Sequence, residues 1–142
     1  MKFFRIIICI AAGMALSLSV YAQNQNEGQN QPPEVDYGKQ AEEQANGLGQ
    51  EFNLDYAQIF KVDTLYQRVL PLFFEEMNTL QQRGFQNTDF YQQVADRWND
   101  YIDTVLESIF TADQWKKYMK SPYGKEKQRR DKRIEQYNSQ VK

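Results

Sequence analysis

The chain has 142 residues, 41% hydrophobic and 25% charged, with one cysteine, no histidine and a formal net charge of −2. Without histidine the commonest general base and the commonest metal ligand are both missing, and the lone Cys9 rules out a disulfide framework. The charge is unevenly spread: residues 23–114 hold five Lys/Arg against sixteen Asp/Glu and residues 115–142 hold ten against three, so an acidic body carries a basic tail.

At the N-terminus, Lys2 and Arg5 precede an apolar run from Ile6 to Leu18 and then Val20-Tyr21-Ala22. This order predicts a secretory signal peptide over residues 1–22, cut after Ala22; the polar QNQNEGQNQ that follows argues against a retained membrane anchor. Ile8 stands where a lipoprotein signal carries a small residue, so Cys9 is not expected to bear a lipid. Cleavage leaves about 120 residues, enough for one small domain in a periplasmic or secreted protein. Residues 23–35, rich in Gln and Asn around Pro32-Pro33, read as a disordered polar leader, and a single domain is expected over 36–142.

Residues 36–52 place Ala41, Ala45 and Leu48 on one side of a short helix that Gly38, Gly47 and Gly49 weaken. After a break at Asn53-Leu54, residues 55–83 set Ile59, Val62, Tyr66, Val69, Phe73, Met77 and Leu80 at alternating spacings of three and four, one long helix with a kink expected at Pro71. Gly84 supplies its stop. Residues 88–109 repeat the stripe with Phe90, Val94, Trp98, Ile102, Val105 and Ile109, which predicts an antiparallel hairpin. A third helix starts at Thr111, carries Trp115, Tyr118 and Met119, and is interrupted at Ser121-Pro122-Tyr123-Gly124. Beyond it, KEKQRRDKRIEQYNSQVK reads as a solvated basic helix, anchored sparsely by Ile134 and Tyr137, that ends in disorder. With no strand pattern anywhere, the expected class is all-α: a helical hairpin with a short N-terminal helix and a third, basic C-terminal helix.

Two helix starts share one pattern. In LDYAQI, Asp55 stands at the N-cap and Gln58 at the third helical position; in FTADQW, Thr111 and Gln114 do the same. Each is a capping box, in which the cap side chain accepts a backbone N–H while the glutamine accepts the cap's own. Leu54 with Ile59, and Phe110 with Trp115, are placed as hydrophobic staples.

The two copies resemble the LTxxQ motif of the periplasmic Spy and CpxP family, where it likewise occurs twice in a small all-α protein. Phe110-Thr111-Ala112-Asp113-Gln114 departs from it at the first residue only; Leu54-Asp55-Tyr56-Ala57-Gln58 replaces Thr with Asp. The resemblance implies a helical hairpin that associates into a curved dimer and acts as an ATP-independent chaperone or an envelope-stress regulator.

Catalysis is not expected. The carboxylates fall at helix-surface spacings, Ser108, Ser121 and Ser139 lack partners for nucleophilic chemistry, and no glycine-rich phosphate loop or metal-ligand set appears. No cofactor is implied. The leading expectation is reversible binding of unfolded envelope proteins, with Phe73, Phe74 and Met77 as apolar contacts and Lys125, Lys127, Arg129, Arg130, Lys132 and Arg133 as basic ones. The alternative is an envelope regulatory subunit that recognises one partner through the same tail. Secretion and an acidic body argue against nucleic acid, stable membrane insertion is not expected after signal cleavage, and a homodimer is expected to cover Trp115, Tyr118 and Met119.

Overall fold

A computed structural model describes residues 35–140. They form five helices: α1 (Tyr37–Phe52), α2 (Tyr56–Gln82), α3 (Thr88–Ile109), α4 (Ala112–Lys120) and α5 (Pro122–Gln140). The class is all-α, with no strand among the described residues. The signal peptide and nearly all of the polar leader expected from sequence lie outside those residues.

α1 starts where the Asp36 carboxylate accepts the Lys39 N–H at 2.9 Å. Its side with Ala41, Ala45, Leu48 and Phe52 is buried to 2% exposure or less against α2. Tyr37 meets Phe74 at one end (5.6 Å between centroids), and Gly49 meets Ile59 at the other, so α1 and α2 run antiparallel. A Cβ on Gly49 would stand 2.8 Å from the Ile59 Cδ1, so this glycine permits a close helix approach. Asn53 ends α1 in the left-handed conformation (φ 56°), a role asparagine tolerates.

In α2 the expected stripe is buried at Val62, Tyr66, Val69, Phe73 and Met77; Leu65 and Leu70 widen it into a face that serves two neighbours. Pro71 sits inside the helix. Gly84 (φ 73°) turns the chain into α3, which returns antiparallel, Glu76 accepting from Arg97 and from Trp98 Nε1.

The buried face of α3 differs from the apolar stripe. Ala95, Asp96, Ile102, Asp103 and Leu106 are buried, Phe90 is 43% exposed, and Val94, Trp98, Val105 and Ile109 are half-buried. The reason is a second neighbour: α5 lies antiparallel on α3, so the basic segment expected as a solvated helix is packed against the fold along its length.

An aromatic cluster fills the core at the end where four helices meet. Phe52 contacts Phe110 (5.7 Å), Tyr118 (5.3 Å) and Tyr123 (5.9 Å); Tyr118 stacks between Trp115 (4.8 Å) and Tyr123 (5.6 Å). Cover for Trp115, Tyr118 and Met119 thus comes from the same chain, which removes the motive for expecting a second copy over them. At the α4–α5 corner, Pro122 occupies the first helical position, where no N–H is needed. Gly124 passes so close to α4 that a Cβ would lie 2.3 Å from the Met119 Cα.

These glycines predict opposite responses to alanine. Gly124→Ala forces the corner apart and is expected to cost roughly 1–3 kcal/mol. Gly47→Ala adds a Cβ that meets nothing within 4 Å on the exposed side of α1, and is expected to stabilise by about 1 kcal/mol. Urea unfolding followed by circular dichroism checks both; a Gly124→Ala variant as stable as the parent would contradict the packing described for Gly124, and a destabilised Gly47→Ala the open position described for Gly47.

Candidate functional site

The two capping boxes meet. Gln58 N donates to Asp55 Oδ1 (2.8 Å) and Asp55 N to Gln58 Oε1 (3.0 Å); Gln114 N donates to Thr111 Oγ1 (3.3 Å) and Thr111 N to Gln114 Oε1 (2.8 Å). The two glutamine amides then pair with each other: Gln58 Nε2 donates to Gln114 Oε1 at 2.7 Å, and Gln114 Nε2 to Gln58 Oε1 at 3.1 Å. Their remaining protons go to carbonyls, Gln58 Nε2 to Ile109 O (2.9 Å) and Gln114 Nε2 to Asn53 O (3.0 Å). Every donor and acceptor of both amides is used, in a local two-fold arrangement. Phe110 and Trp115 close one staple at 6.3 Å between centroids, while Leu54 and Ile59 lie in the same core as the first box.

A second polar assembly holds α5 on α3. Asp96, its side chain 3% exposed, accepts from Arg133 Nε (2.8 Å) and Nη2 (2.7 Å), from Gln92 Nε2 (2.9 Å) and from the Tyr137 hydroxyl (3.2 Å). Two turns away, Asp103 accepts from Arg130 and from the Tyr118 hydroxyl (2.6 Å). Burial pushes the Asp103 carboxyl above its ordinary range, against the pull of Arg130, Tyr118 and Lys127. Burial acts on Asp96 in the same sense, but the bonds from Arg133, Gln92 and Tyr137 outweigh it and hold that carboxyl low. The Tyr118 hydroxyl, buried beside Asp103, is raised far up and stays a donor.

The basic run therefore divides by helix face. Arg130 is 5% exposed and Arg133 grips Asp96, so both serve the fold; Lys127 is half-buried and pairs with Asp131 at 3.0 Å. Lys125, Arg129 and Lys132 remain on the outer face. Of the apolar contacts expected from sequence, Phe73 and Met77 are each 4% exposed, and Phe74 is wedged between Tyr37 and Phe73. The structure does not bring these apolar and basic residues together as one surface.

A different surface is open. Arg68, Val69 and Leu72 on α2 face Arg97, Trp98 and Tyr101 on α3 across a groove of about 340 Å³. Leu72 is 44% and Tyr101 42% exposed, and Trp98 stands edge-on to Tyr101 at 6.3 Å. Glu76 anchors the wall by accepting from both Arg97 and Trp98 Nε1. Arg68 and Leu72 were hidden from the periodicity argument because they flank the apolar stripe. The cue, available only once the helices are paired, is an arginine on each side of a shared seam, with Leu72 on the α2 side and Trp98 and Tyr101 on the α3 side.

No group of His, Cys, Asp and Glu among the described residues is placed to hold a metal ion, and no described helix is long and apolar enough to cross a membrane. Compared with family models, curated proteins and solved structures, the chain gives no match in any of the three, so the likeness to the LTxxQ family rests on the quoted residues alone.

Gln58→Ala and Gln114→Ala should each cost about 1–3 kcal/mol, because each strands the other amide, whereas the double variant should cost clearly less than their sum. Strict additivity in urea melts would show that the amides are not coupled. For Asp96, a depressed folded pKa means stability that is present above the unfolded value and lost as pH falls through the folded one. Asp96→Asn should thus be less stable than the parent at neutral pH, with the gap closing in acid below about pH 4. The pH course of that difference is the measurement, and a gap unchanged down to about pH 2 would count against the assignment.

Proposed function

We propose that the protein is an exported, non-enzymatic binding module that holds exposed segments of unfolded envelope proteins, reversibly and without nucleotide. The observation that carries this reading is the α2–α3 groove, which combines Trp, Tyr and Arg, the residue types that dominate protein-binding hot spots, with Leu72 left open to water over a floor of buried Val69. The doubled LTxxQ-like motif supports it by resemblance. The boxes form the frame and the groove does the binding.

A second reading is an envelope regulatory subunit with one partner. What favours it is the outer face of α5, where Lys125, Arg129 and Lys132 stay exposed after the inner arginines are consumed by the fold.

The test is suppression of aggregation, without ATP, of two unrelated unfolding proteins at near-stoichiometric ratios. Suppression of both is expected, with soluble client–protein complexes recovered by size exclusion. Suppression of neither, alongside capture of a single envelope protein, would replace the first reading with the second.

A further inference from the structure

Resting on the reading of the groove as a protein-binding surface, we infer that it recognises acidic segments carrying a bulky apolar side chain, not unfolded chains in general. α2 and α3 together carry three basic residues, Lys61, Arg68 and Arg97, against eight acidic ones. Two of those three cations line the groove. On so acidic a pair of helices this places positive charge where an opening already exists.

The two arginines differ in their commitments. Arg97 uses Nη2 on the Glu76 carboxylate, the only one of its nitrogens with an acceptor among the described residues, and its side chain is 63% exposed. Arg68 makes no ion pair among the described residues and is exposed. A guanidinium is weakly hydrated and matches a carboxylate with two parallel N–H bonds, so these positions favour an incoming Asp, Glu or terminal carboxylate. Lysine-rich segments would meet repulsion chiefly at Arg68, since Glu76 offsets part of the Arg97 charge.

Between the arginines the lining is Val69, Leu72, Trp98 and Tyr101. A volume of about 340 Å³ lies at the small end for ligand sites and suits one bulky side chain with its flanking backbone. Covering Leu72 and Tyr101 removes apolar surface from water, which favours the bound state. Charge selects the segment, and the apolar side chain holds it. Glu76, at the wall itself, offsets part of the Arg97 charge and leaves Arg68 as the main source of positive potential; the more distant exposed carboxylates are screened within ~8 Å at physiological salt.

The experiment uses the purified protein and short fluorescent synthetic peptides in three forms: Glu residues alternating with Leu around a central Phe, the same peptide with Lys for Glu, and the acidic peptide with Ser for Leu and Phe. Anisotropy titration should show the first binding at least about tenfold tighter than the other two, and weakening as salt is raised. Arg68→Glu and Leu72→Asp, at exposed positions, should each remove that preference while the circular dichroism melt stays at the parent's temperature. Equal binding of the Lys and Glu peptides, or a preference untouched by both substitutions, would overturn the inference and leave general client binding standing. Binding of no peptide, together with no suppression of aggregation, would overturn both.

Discussion

The pairing of two glutamine amides is the constraint on which the rest of this fold depends. Gln58 and Gln114 each begin as the third residue of a capping box, a local device worth about 1 kcal/mol. By spending their remaining hydrogen bonds on each other and on Asn53 and Ile109, they clamp the α1–α2 turn against the α3–α4 turn. The amides lie at the edge of the core, and every polar atom that loses water there finds a partner, so the clamp avoids the penalty of a half-satisfied buried network. Its consequence is geometric: α4 must start beside the end of α1, where Lys117 donates to the Glu51 carbonyl and its ammonium stands over Phe52, and the aromatic cluster closes beneath it.

From that corner the course of the chain is largely determined. Ser121 and Pro122 stop α4 and restart the backbone, Gly124 lets the new helix pass against Met119, and α5 returns along α3. Its residues are too polar for the hydrophobic effect alone to keep it there. Asp96 and Asp103, seven apart on α3, meet Arg133 and Arg130 on α5, with Tyr137 and Tyr118 completing the acceptors. Buried ion pairs add little net stability over apolar packing, because desolvation offsets most of the attraction; removing one partner is costly. Their contribution here is register. An arginine one turn out of place would leave a carboxylate buried with no partner, so the pairs select a single alignment of α5 on α3.

The same pairs explain which parts of the structure were legible in the sequence. Period-three-and-four stripes, Asn53, Gly84 and the two cap positions locate the first four helices closely, because those signals are local. The buried face of α3 is not legible, since Asp96 and Asp103 read as solvent-exposed when taken alone; only a basic helix folded back on them makes burial tolerable. The basic run was legible as charge, but its division into inner Arg130 and Arg133 and outer Lys125, Arg129 and Lys132 needs that partner helix. Phe73 and Met77, expected as apolar contacts, sit on the α2 stripe and are consumed by the core. The boxes were legible as helix starts. Their mutual pairing was not, because a glutamine that caps its own helix carries no local sign that its amide protons are needed elsewhere.

The charge asymmetry then has an internal account. An acidic α3 and a basic α5 cancel across their interface, so opposite local balances coexist with a chain-wide net charge of only −2. A basic tail in such a protein is weak evidence for an anionic partner, since its best-placed arginines already have one. The informative charges are those for which folding finds no use. Arg68 makes no ion pair among the described residues, and Arg97 is tied to Glu76 at one nitrogen, in a seam whose aromatic wall is braced by the same carboxylate. Stability does not require an exposed arginine beside an exposed leucine and an exposed tyrosine, because each gains little from the others in water. Their shared place on one groove makes sense when something outside the fold completes it, and the two guanidiniums favour a carboxylate for that role.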